Sequence, residues 1–341
     1  MKALMIHGAF DASVVEMPKP LPKVGEVLIR VSMCGICGSD VHAYTGHHIR
    51  RKPPLVPGHE MCGVIEAVGP EVGLLQPGLR VTVLPERGCG ICEACSKGWT
   101  NVCESKSLLG SGPWPGAFAE YVTAPQSLVF LLPEAIPNDL AALAEPVAVA
   151  VHALRQAHFE AGQTALVFGA GGIGSLILTL AKLRGGGPCV ACDLKNFNLE
   201  AAKRQGAAQT LNTRERSACE QLEGNLNFHP VDVAFVAASS TDLINQSFFL
   251  TRKHGVIVLV GQFNKPGIVD VDKARVREQT ISTSFTYDRS DFIKALAILA
   301  AHPQAFVALV TRMISLEESG AYLAKLCQAE VDTIKTMILM E

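Results

Sequence analysis

The sequence lacks the features that mark membrane, secreted and nucleic-acid-binding proteins. It contains no continuous apolar run of the roughly 18 residues that span a bilayer. The first residues, MKALMIHGAF, lack the apolar core and cleavage site of a secretory leader, so we expect a cytoplasmic protein. The chain has 30 Lys and Arg residues and 32 Asp and Glu residues, so its formal net charge is only −2. This balance gives no long-range attraction to nucleic acid or to an anionic membrane, and it favours a small-molecule partner.

Cysteine, in contrast, is plentiful, with eleven residues in the chain. In a reducing compartment we expect these residues to be thiols or metal ligands rather than disulfides. The odd total also fits poorly with a fully paired secreted framework.

A chain of 341 residues is long for a single core, so we expect two domains. The first 130 or so residues contain short runs rich in Val and Ile, bounded by turn residues, and are predicted to be rich in β-strands. From about residue 140, strands and helices alternate, which predicts a parallel sheet covered on both faces. The predicted strands are 26–31, 62–68, 80–84, 164–168, 189–192, 231–236, 256–260 and 333–340, and the predicted helices are 141–157, 173–183, 199–205, 243–250 and 292–300.

Four cysteines, Cys89, Cys92, Cys95 and Cys103, have the spacing C-x2-C-x2-C-x7-C. Such short steps let successive thiolates turn toward one cation, so the sequence predicts a structural zinc site in a lobe of about residues 86–107. With all four positions filled, this zinc would hold a loop and leave no place for water. The alternatives are loop thiols, two disulfides or a nucleic-acid-binding zinc module, and the lack of a Lys/Arg stripe speaks against the last.

Gly169, Gly171 and Gly174 form a G-x-G-x-x-G pattern between a predicted strand and a predicted helix. In a dinucleotide-binding turn the first glycine permits the tight turn, the second lets a pyrophosphate approach and the third lets the helix pack closely. Asp193 ends the next strand, where an acid accepts hydrogen bonds from the adenosine ribose. Because the acid repels a 2′-phosphate, NAD is favoured over NADP, although Lys195 would soften this preference. A packing turn without a ligand is the alternative.

The segments GICGSDVH, residues 35–42, and VPGHE contain the candidates for a reactive metal site. Cys37, His59 and a carboxylate would form a three-ligand zinc site with the fourth position open, as catalysis requires. His47 and His48 lie in a polar loop, where we expect them to be solvated.

The chain resembles the zinc-dependent medium-chain dehydrogenases/reductases, and within them the polyol branch that includes sorbitol and threonine dehydrogenases. The resemblance implies an α/β plus β fold, in which a GroES-like catalytic domain of residues 1–147 and 287–341 contains an inserted Rossmann domain of residues 148–286. It also implies a homodimer or homotetramer. The motifs that carry it, in the family's order, are GICGSDVH, GHE at 58–60, the four-cysteine lobe, GAFAEYV at 116–122, AEPVAVAVHA at 144–153 and GAGGIG at 169–174.

The same resemblance implies roles for individual residues and two zinc ions per chain. Cys37, His59 and a glutamate would bind the catalytic zinc, and Asp40 would orient the histidine. Ser39 would be the hydroxyl next to the substrate oxygen, and His42 the outer member of a proton relay. The residues expected to bind NAD are Gly169, Gly171, Gly172, Ile173, Gly174, Asp193, Val260, Gly261 and Phe285.

The identity of the third zinc ligand is open, because no cysteine occurs between Cys103 and Cys189. The corresponding region contains Glu145 in an apolar run, where an acid is costly to bury unless a cation or hydrogen bonds satisfy it. We expect Glu60 to be the direct ligand in the resting enzyme, and Glu145 to bind a metal-bound water or to exchange with Glu60 during turnover. The alternative for Glu145 is an acid favoured at the start of a helix.

The predicted activity is the reversible NAD-linked oxidation of a secondary alcohol of a polyol, sugar acid, cyclitol or amino alcohol to the ketone. Two positions depart from the family pattern. Gly38 lacks the cationic side chain that some alcohol dehydrogenases have there, and Thr286 precedes Tyr287 where sorbitol dehydrogenase is expected to have arginine. The alternatives are a zinc enzyme for simple primary alcohols and a non-catalytic relative of the same fold.

Overall fold

The fold is described from a computed structural model over residues 1–223, 225, 228–263 and 265–340. The chain forms two compact units, Met1–Glu145 with Asp288–Glu341, and Pro146–Tyr287. The domain boundaries expected at 147/148 and 286/287 lie within two residues of these bounds. No single helix in the described ranges is long and apolar enough to cross a membrane, and one pair, Arg289–Ala301 with Pro303–Leu309, meets the criteria of length and composition only as a pair bent by 98°.

Strands and helices are numbered in chain order over the described residues. The strands β1 to β17 are Lys2–Gly8, Asp11–Glu16, Glu26–Gly35, Glu60–Val68, Arg80–Val83, Glu86–Arg87, Ser107–Leu108, Tyr121–Pro125, Val129–Leu131, Ala165–Phe168, Cys189–Asp193, Gln209–Asn212, Val231–Val236, Thr251–Leu259, Thr280–Thr283, Val310–Ser315 and Lys335–Leu339. The α-helices α1 to α11 are Gly38–Tyr44, Glu93–Ser96, Asn138–Ala141, Ala144–Gln156, Gly172–Leu183, Asn196–Gln205, Ala218–Leu222, Thr241–Leu250, Val271–Arg275, Arg289–Ala301 and Ser319–Cys327.

The unit Pro146–Tyr287 contains a parallel sheet with the strand order β12-β11-β10-β13-β14-β15. Numbered within the unit, this is the order 3-2-1-4-5-6 of a Rossmann fold. The inner strand β10 reads ALVF and is buried at all four positions, as expected for a strand covered on both faces. The predicted Rossmann domain is therefore confirmed.

The unit built from Met1–Glu145 and Asp288–Glu341 contains a mostly antiparallel sheet with the order β16-β17-β3-β4-β5-β9, and β8 pairs with β3. Its long strand β3 pairs with β4 on one side and with β17 on the other near its carboxyl end. The apolar residues of β3 are buried, because both neighbours and the core cover it. This is the β-rich, GroES-like domain that the resemblance implies.

The predicted helix 141–157 is wrong at its start. The structure has one short helix ending at Ala141 and a second, α4, that begins at Ala144. Pro146 explains this break, because proline has no N–H and is tolerated only in the first turn, where the N–H groups have no partner within the helix. The sequence patterns also gave no prediction for the hairpin β1–β2 or for the strands β6, β7, β8, β9, β12, β15 and β16.

Candidate catalytic metal site and cofactor-binding turn

The register of three strands brings the candidate metal ligands together. Gly35, at the end of β3, is paired with Glu60, the first residue of β4, and with Met337 of β17. Cys37 follows two residues after Gly35, and His59 directly precedes Glu60. Ligands from distant parts of the sequence therefore meet where these three strands lie side by side.

Cys37, His59 and Glu60 each offer one ligand atom, and these three atoms lie within 4.8 Å of one another. Glu60 is almost fully buried and His59 is buried, so this is an enclosed group of donors. A thiolate, an imidazole and a carboxylate are the donor types that Zn²⁺ binds, and three of them leave a fourth position for a substrate. The residues present therefore fit a catalytic zinc ion.

Asp40 is fully buried, and its carboxylate faces the imidazole of His59. Its Oδ1 lies 3.5 Å from His59 Nδ1, and its Oδ2 accepts a hydrogen bond of 2.9 Å from the backbone N–H of Cys37. Burial acts to raise the pKa of Asp40, but His59, Arg51 and the Cys37 N–H lower it to about 2. Burial and Arg51 act to lower the pKa of His59, but Asp40 outweighs them and raises it to about 10. This carboxylate has the position expected of a group that orients a zinc-binding histidine.

Lys335, which the sequence reasoning missed, forms a buried ion pair with Glu60. Its Nζ lies 2.7 Å from both carboxylate oxygens and donates to the backbone oxygen of Ile36 at 3.1 Å. Burial acts to lower the pKa of Lys335, but Glu60 more than offsets this and raises it. The available signal was a lone cation inside the buried strand KTMIL, because a buried charge requires a partner. Glu60 thus has a protein cation as partner, and its direct ligation of zinc remains a prediction.

Glu145 is buried at the start of α4 but is not part of the group formed by Cys37, His59 and Glu60. Its charge contributes to raising the pKa of Lys335, after the larger effect of Glu60, so the two carboxylates lie near the same lysine. An exchange of Glu145 with Glu60 on the metal therefore remains a prediction.

Ser39 and His42 lie on α1, three residues apart, so they share one face of the helix. Ser39 Oγ accepts a hydrogen bond of 2.6 Å from Arg51 Nη1. Arg51 is a second residue that the sequence reasoning did not single out, and its side chain is only 6% exposed. The backbone oxygen of His42 accepts hydrogen bonds from the N–H groups of His47 and His48, so the loop after α1 folds back on the helix.

The four cysteines of the predicted structural site converge in the same unit. Their sulfur atoms lie within 4.8 Å of one another, with 4.0 Å between Cys89 and Cys95 and 3.8 Å between Cys92 and Cys103. A tetrahedron with Zn–S bonds of about 2.3 Å has sulfur atoms about 3.8 Å apart, so the spacing fits a zinc ion. The backbone N–H groups of Ile91 and Cys92 lower the pKa of Cys89 to about 6, which favours the thiolate that binds metal.

The glycine-rich turn of the Rossmann unit has the space that a dinucleotide needs. Gly169 has φ +88°, a conformation that favours glycine. A Cβ on Gly171 would meet nothing within 4 Å, so the backbone there is open to a ligand. A Cβ on Gly174 would lie 1.8 Å from the oxygen of Gly169, so only glycine allows this close packing of helix on strand. The turn therefore fits the binding of a pyrophosphate at the start of α5.

The other residues expected to bind the cofactor lie at or just after the carboxyl ends of strands of the parallel sheet. Asp193 ends β11, and its oxygens accept hydrogen bonds of 2.8 Å from the N–H groups of Ala170 and Lys195. The N–H groups of Val260 and Gly261, after β14, both donate to the oxygen of Val236, and the half-exposed Phe285 follows β15. Gly172 and Ile173 form the first turn of α5. Ligands of open α/β sheets bind at this edge.

A GroES-like unit with zinc-type donors and a Rossmann unit with a G-x-G-x-x-G turn define a zinc-dependent dehydrogenase of the medium-chain class. Two family models match the chain, the alcohol dehydrogenase GroES-like domain over residues 23–134 and the zinc-binding dehydrogenase domain over residues 172–301. The protein belongs to this family of zinc-binding alcohol dehydrogenases, as its motifs indicated.

Individual relatives agree with this membership. The chain is 34% identical to the sorbitol dehydrogenase of Bacillus subtilis strain 168, over 99% of this chain and 97% of that protein. The structure of a zinc-binding dehydrogenase of Sinorhizobium meliloti 1021, solved with NADP bound, matches this fold with a TM-score of 0.92. The two sequences are 28% identical, and the match covers 99% of this chain and 98% of that chain. An alcohol dehydrogenase of Escherichia coli, solved with NADH, has a TM-score of 0.90 and 29% identity over 99% of both chains.

Proposed function

We propose that this protein is a zinc-dependent enzyme that oxidises a secondary alcohol of a polyol, sugar acid, cyclitol or amino alcohol to the ketone, reversibly and with NAD. The observation that carries the proposal is the buried group of Cys37, His59 and Glu60, with Asp40 behind the histidine. A carboxylate makes this donor set harder than one with a second thiolate, which suits polyhydroxylated substrates. The similarity to a sorbitol dehydrogenase supports the same substrate class.

The protein's own residues hold the reactants and move the proton. When bound, zinc makes an alcohol hydroxyl more acidic and NAD accepts the hydride. Ser39 lies two residues after Cys37 and shares a helix face with His42. Its hydroxyl would accept the substrate proton and pass its own proton toward His42. Arg51 restricts the hydroxyl of Ser39 by donating to its oxygen. Asp40 faces Nδ1 of His59 at 3.5 Å, so it would orient the ring of this histidine when a metal is bound.

We also propose that the enzyme prefers NAD to NADP, because the Asp193 carboxylate repels the 2′-phosphate of NADP. Each chain would bind two zinc ions, one catalytic and one structural. We further propose that the enzyme acts in the cytoplasm as a homodimer or homotetramer.

Metal content and alcohol-dependent NADH formation test the function together. We expect the wild-type protein to contain two zinc ions and to reduce NAD with at least one member of a panel of polyols, sugar acids, cyclitols and amino alcohols. Cys37→Ser should remove one zinc and abolish turnover while the protein still folds, whereas Cys95→Ser should lower the yield of folded protein. Cys327→Ser, at a half-buried cysteine outside both groups, is the matched control and should change neither property.

Two outcomes would contradict the assignment. One zinc ion in the wild-type protein, or full activity of Cys37→Ser, would contradict the assignment of a catalytic zinc site. Two zinc ions without turnover of any member of the panel would favour the non-catalytic relative of this fold.

A further inference from the structure

The loop between the candidate ligands Cys37 and His59 is strongly basic. Residues 41–59 contain no Asp or Glu. The carboxylates nearest in sequence, Asp40 and Glu60, are buried, and each already faces a cationic side chain. We call the segment 41–59 the basic loop. Its basic residues are His42, His47, His48, Arg50, Arg51, Lys52 and His59.

Arg51 is the member of the basic loop that reaches the proposed reaction centre. Its Nη1 donates to Ser39 Oγ at 2.6 Å and lies 3.4 Å from Asp40 Oδ1. The same Asp40 oxygen is 3.5 Å from His59 Nδ1, so a single carboxylate separates the guanidinium from a candidate zinc ligand. A substrate that places its hydroxyl between Ser39 and the metal would therefore bring its neighbouring atoms close to Arg51.

The guanidinium of Arg51 retains unused hydrogen-bonding capacity. Both of its side-chain hydrogen bonds to the described residues run from Nη1. Its Nε is buried and has no hydrogen-bond partner in the described part of the chain. Nε and Nη2 form the fork that binds a carboxylate or a phosphate in a bidentate manner. A buried donor without a partner is costly, so an anion that reached this fork and accepted from it would relieve that cost.

Asp40 does not serve Arg51 alone, because its oxygens also face His59 and accept from the N–H of Cys37. His48 can donate one hydrogen bond near Arg51, but it contributes no charge. Its Nδ1 accepts from the N–H groups of Arg50 and Arg51, and burial together with Arg51 lowers its pKa to about 4, so the neutral ring carries its hydrogen on Nε2. Beside Ser39, a Cβ on Gly38 would meet nothing within 4 Å, which leaves space for a ligand.

We propose that Arg51 determines substrate specificity by binding an anionic group, a carboxylate or a phosphate, on the alcohol that this enzyme oxidises. The inference rests on the proposed function and narrows its substrate class to hydroxy acids and polyol phosphates. Neutral polyols lack the group that satisfies the Arg51 fork, so they are poorer substrates.

The test compares substrates that share one carbon skeleton and differ only at one end. The zinc-loaded enzyme is assayed for NAD reduction with hexitols, the corresponding hexonates and hexitol phosphates, which separate neutral, carboxylate and phosphate groups. We expect the wild-type enzyme to prefer one anionic series in kcat/KM. Arg51→Gln should reduce this preference by about 100-fold, the size expected when a buried charge-assisted bidentate pair is lost. Arg51→Lys should give an intermediate loss, because it keeps the charge beside Asp40 but not the fork.

The matched control is Arg50→Gln, which removes an adjacent but exposed charge and should leave the preference nearly unchanged. A structural role of Arg51 acting only through Ser39 would lower kcat/KM equally for all three series and would overturn the inference. A fall in NADH affinity in Arg51→Gln, with an unchanged substrate preference, would assign Arg51 to the cofactor and would also overturn it.

The proposal for Arg51 and the proposed function fail in distinguishable ways. If the wild-type enzyme oxidises neutral hexitols at least as well as both anionic series, the proposed function stands and the inference about Arg51 is wrong. If no series is oxidised, calorimetry on the NADH complex decides with glycolate and ethylene glycol, an achiral pair that differs by a carboxylate. Weaker binding of glycolate in Arg51→Gln, with ethylene glycol unchanged, supports the Arg51 site, and equal binding in both proteins rejects it.

Discussion

Lys335→Met should destabilise the catalytic unit strongly, because it leaves the Glu60 carboxylate buried without its cation. Lys335 Nζ lies 2.7 Å from both oxygens of Glu60, and the two side chains are 7% and 1% exposed. Removing one partner of such a buried pair costs about 3–5 kcal/mol, so we expect the free energy of unfolding of this unit to fall by about that amount. The methionine fills a similar volume, so most of the loss reflects the charge.

The two tryptophans make this effect measurable in one unit alone. Both Trp99 and Trp114 lie in the unit Met1–Glu145, so tryptophan fluorescence during urea unfolding reports on this unit and not on the Rossmann unit. The experiment is done in the Cys37→Ser background, which we expect to lack the catalytic zinc and to keep the structural zinc that holds the lobe of Trp99. In proteins that retain Cys37, bound zinc should reduce the loss of stability, because the released Glu60 carboxylate can bind the metal.

The control for this prediction is the double variant Lys335→Met with Glu60→Gln, which removes both charges. It should be more stable than the single variant, because no uncompensated charge remains buried. A loss of less than about 1 kcal/mol in the single variant would refute the reasoning, since breaking such a pair costs several times more. A double variant that is no more stable than the single one would refute it as well.

The remaining predictions concern the other polar groups of the two sites. Asp40→Asn should lower zinc affinity or turnover by about 10–100-fold, measured by chelator competition and by initial rates, because it releases the ring of His59; unchanged values would exclude the orienting role. Asp193→Gly should lower kcat/KM for NAD more than for NADP, and a wild-type preference for NADP would contradict our assignment. Glu145→Gln should lower turnover, and full activity would remove this residue from the site. His42→Ala should slow oxidation most at low pH and respond to added small bases, whereas an unchanged pH–rate profile would exclude it from the relay.

Features whose residues are close in sequence could be predicted without the structure. The spacing of Cys89, Cys92, Cys95 and Cys103 confines four thiols to one short loop, so their convergence follows from chain length alone. The G-x-G-x-x-G pattern is similar, because its turn is closed by neighbouring residues, and the 1.8 Å approach of a Cβ at Gly174 explains why only glycine serves there. The alternation of apolar strands and helices from residue 165 onward likewise reflects local patterns of burial, and it predicted the Rossmann unit.

Features that depend on distant partners were decided by the tertiary structure. The pairing of Gly35 with Glu60 and Met337 brings Lys335 onto Glu60, although the two residues are 275 positions apart. In the sequence, Arg51 is one of several basic residues in a polar loop. In the structure its side chain is buried and donates a hydrogen bond to Ser39. Local pattern specifies which segments become strands, but strand register and burial depend on the whole sheet. Register and burial together determine which charged side chains lose contact with water. Such side chains are stable only beside a partner of opposite charge, as Lys335 is beside Glu60.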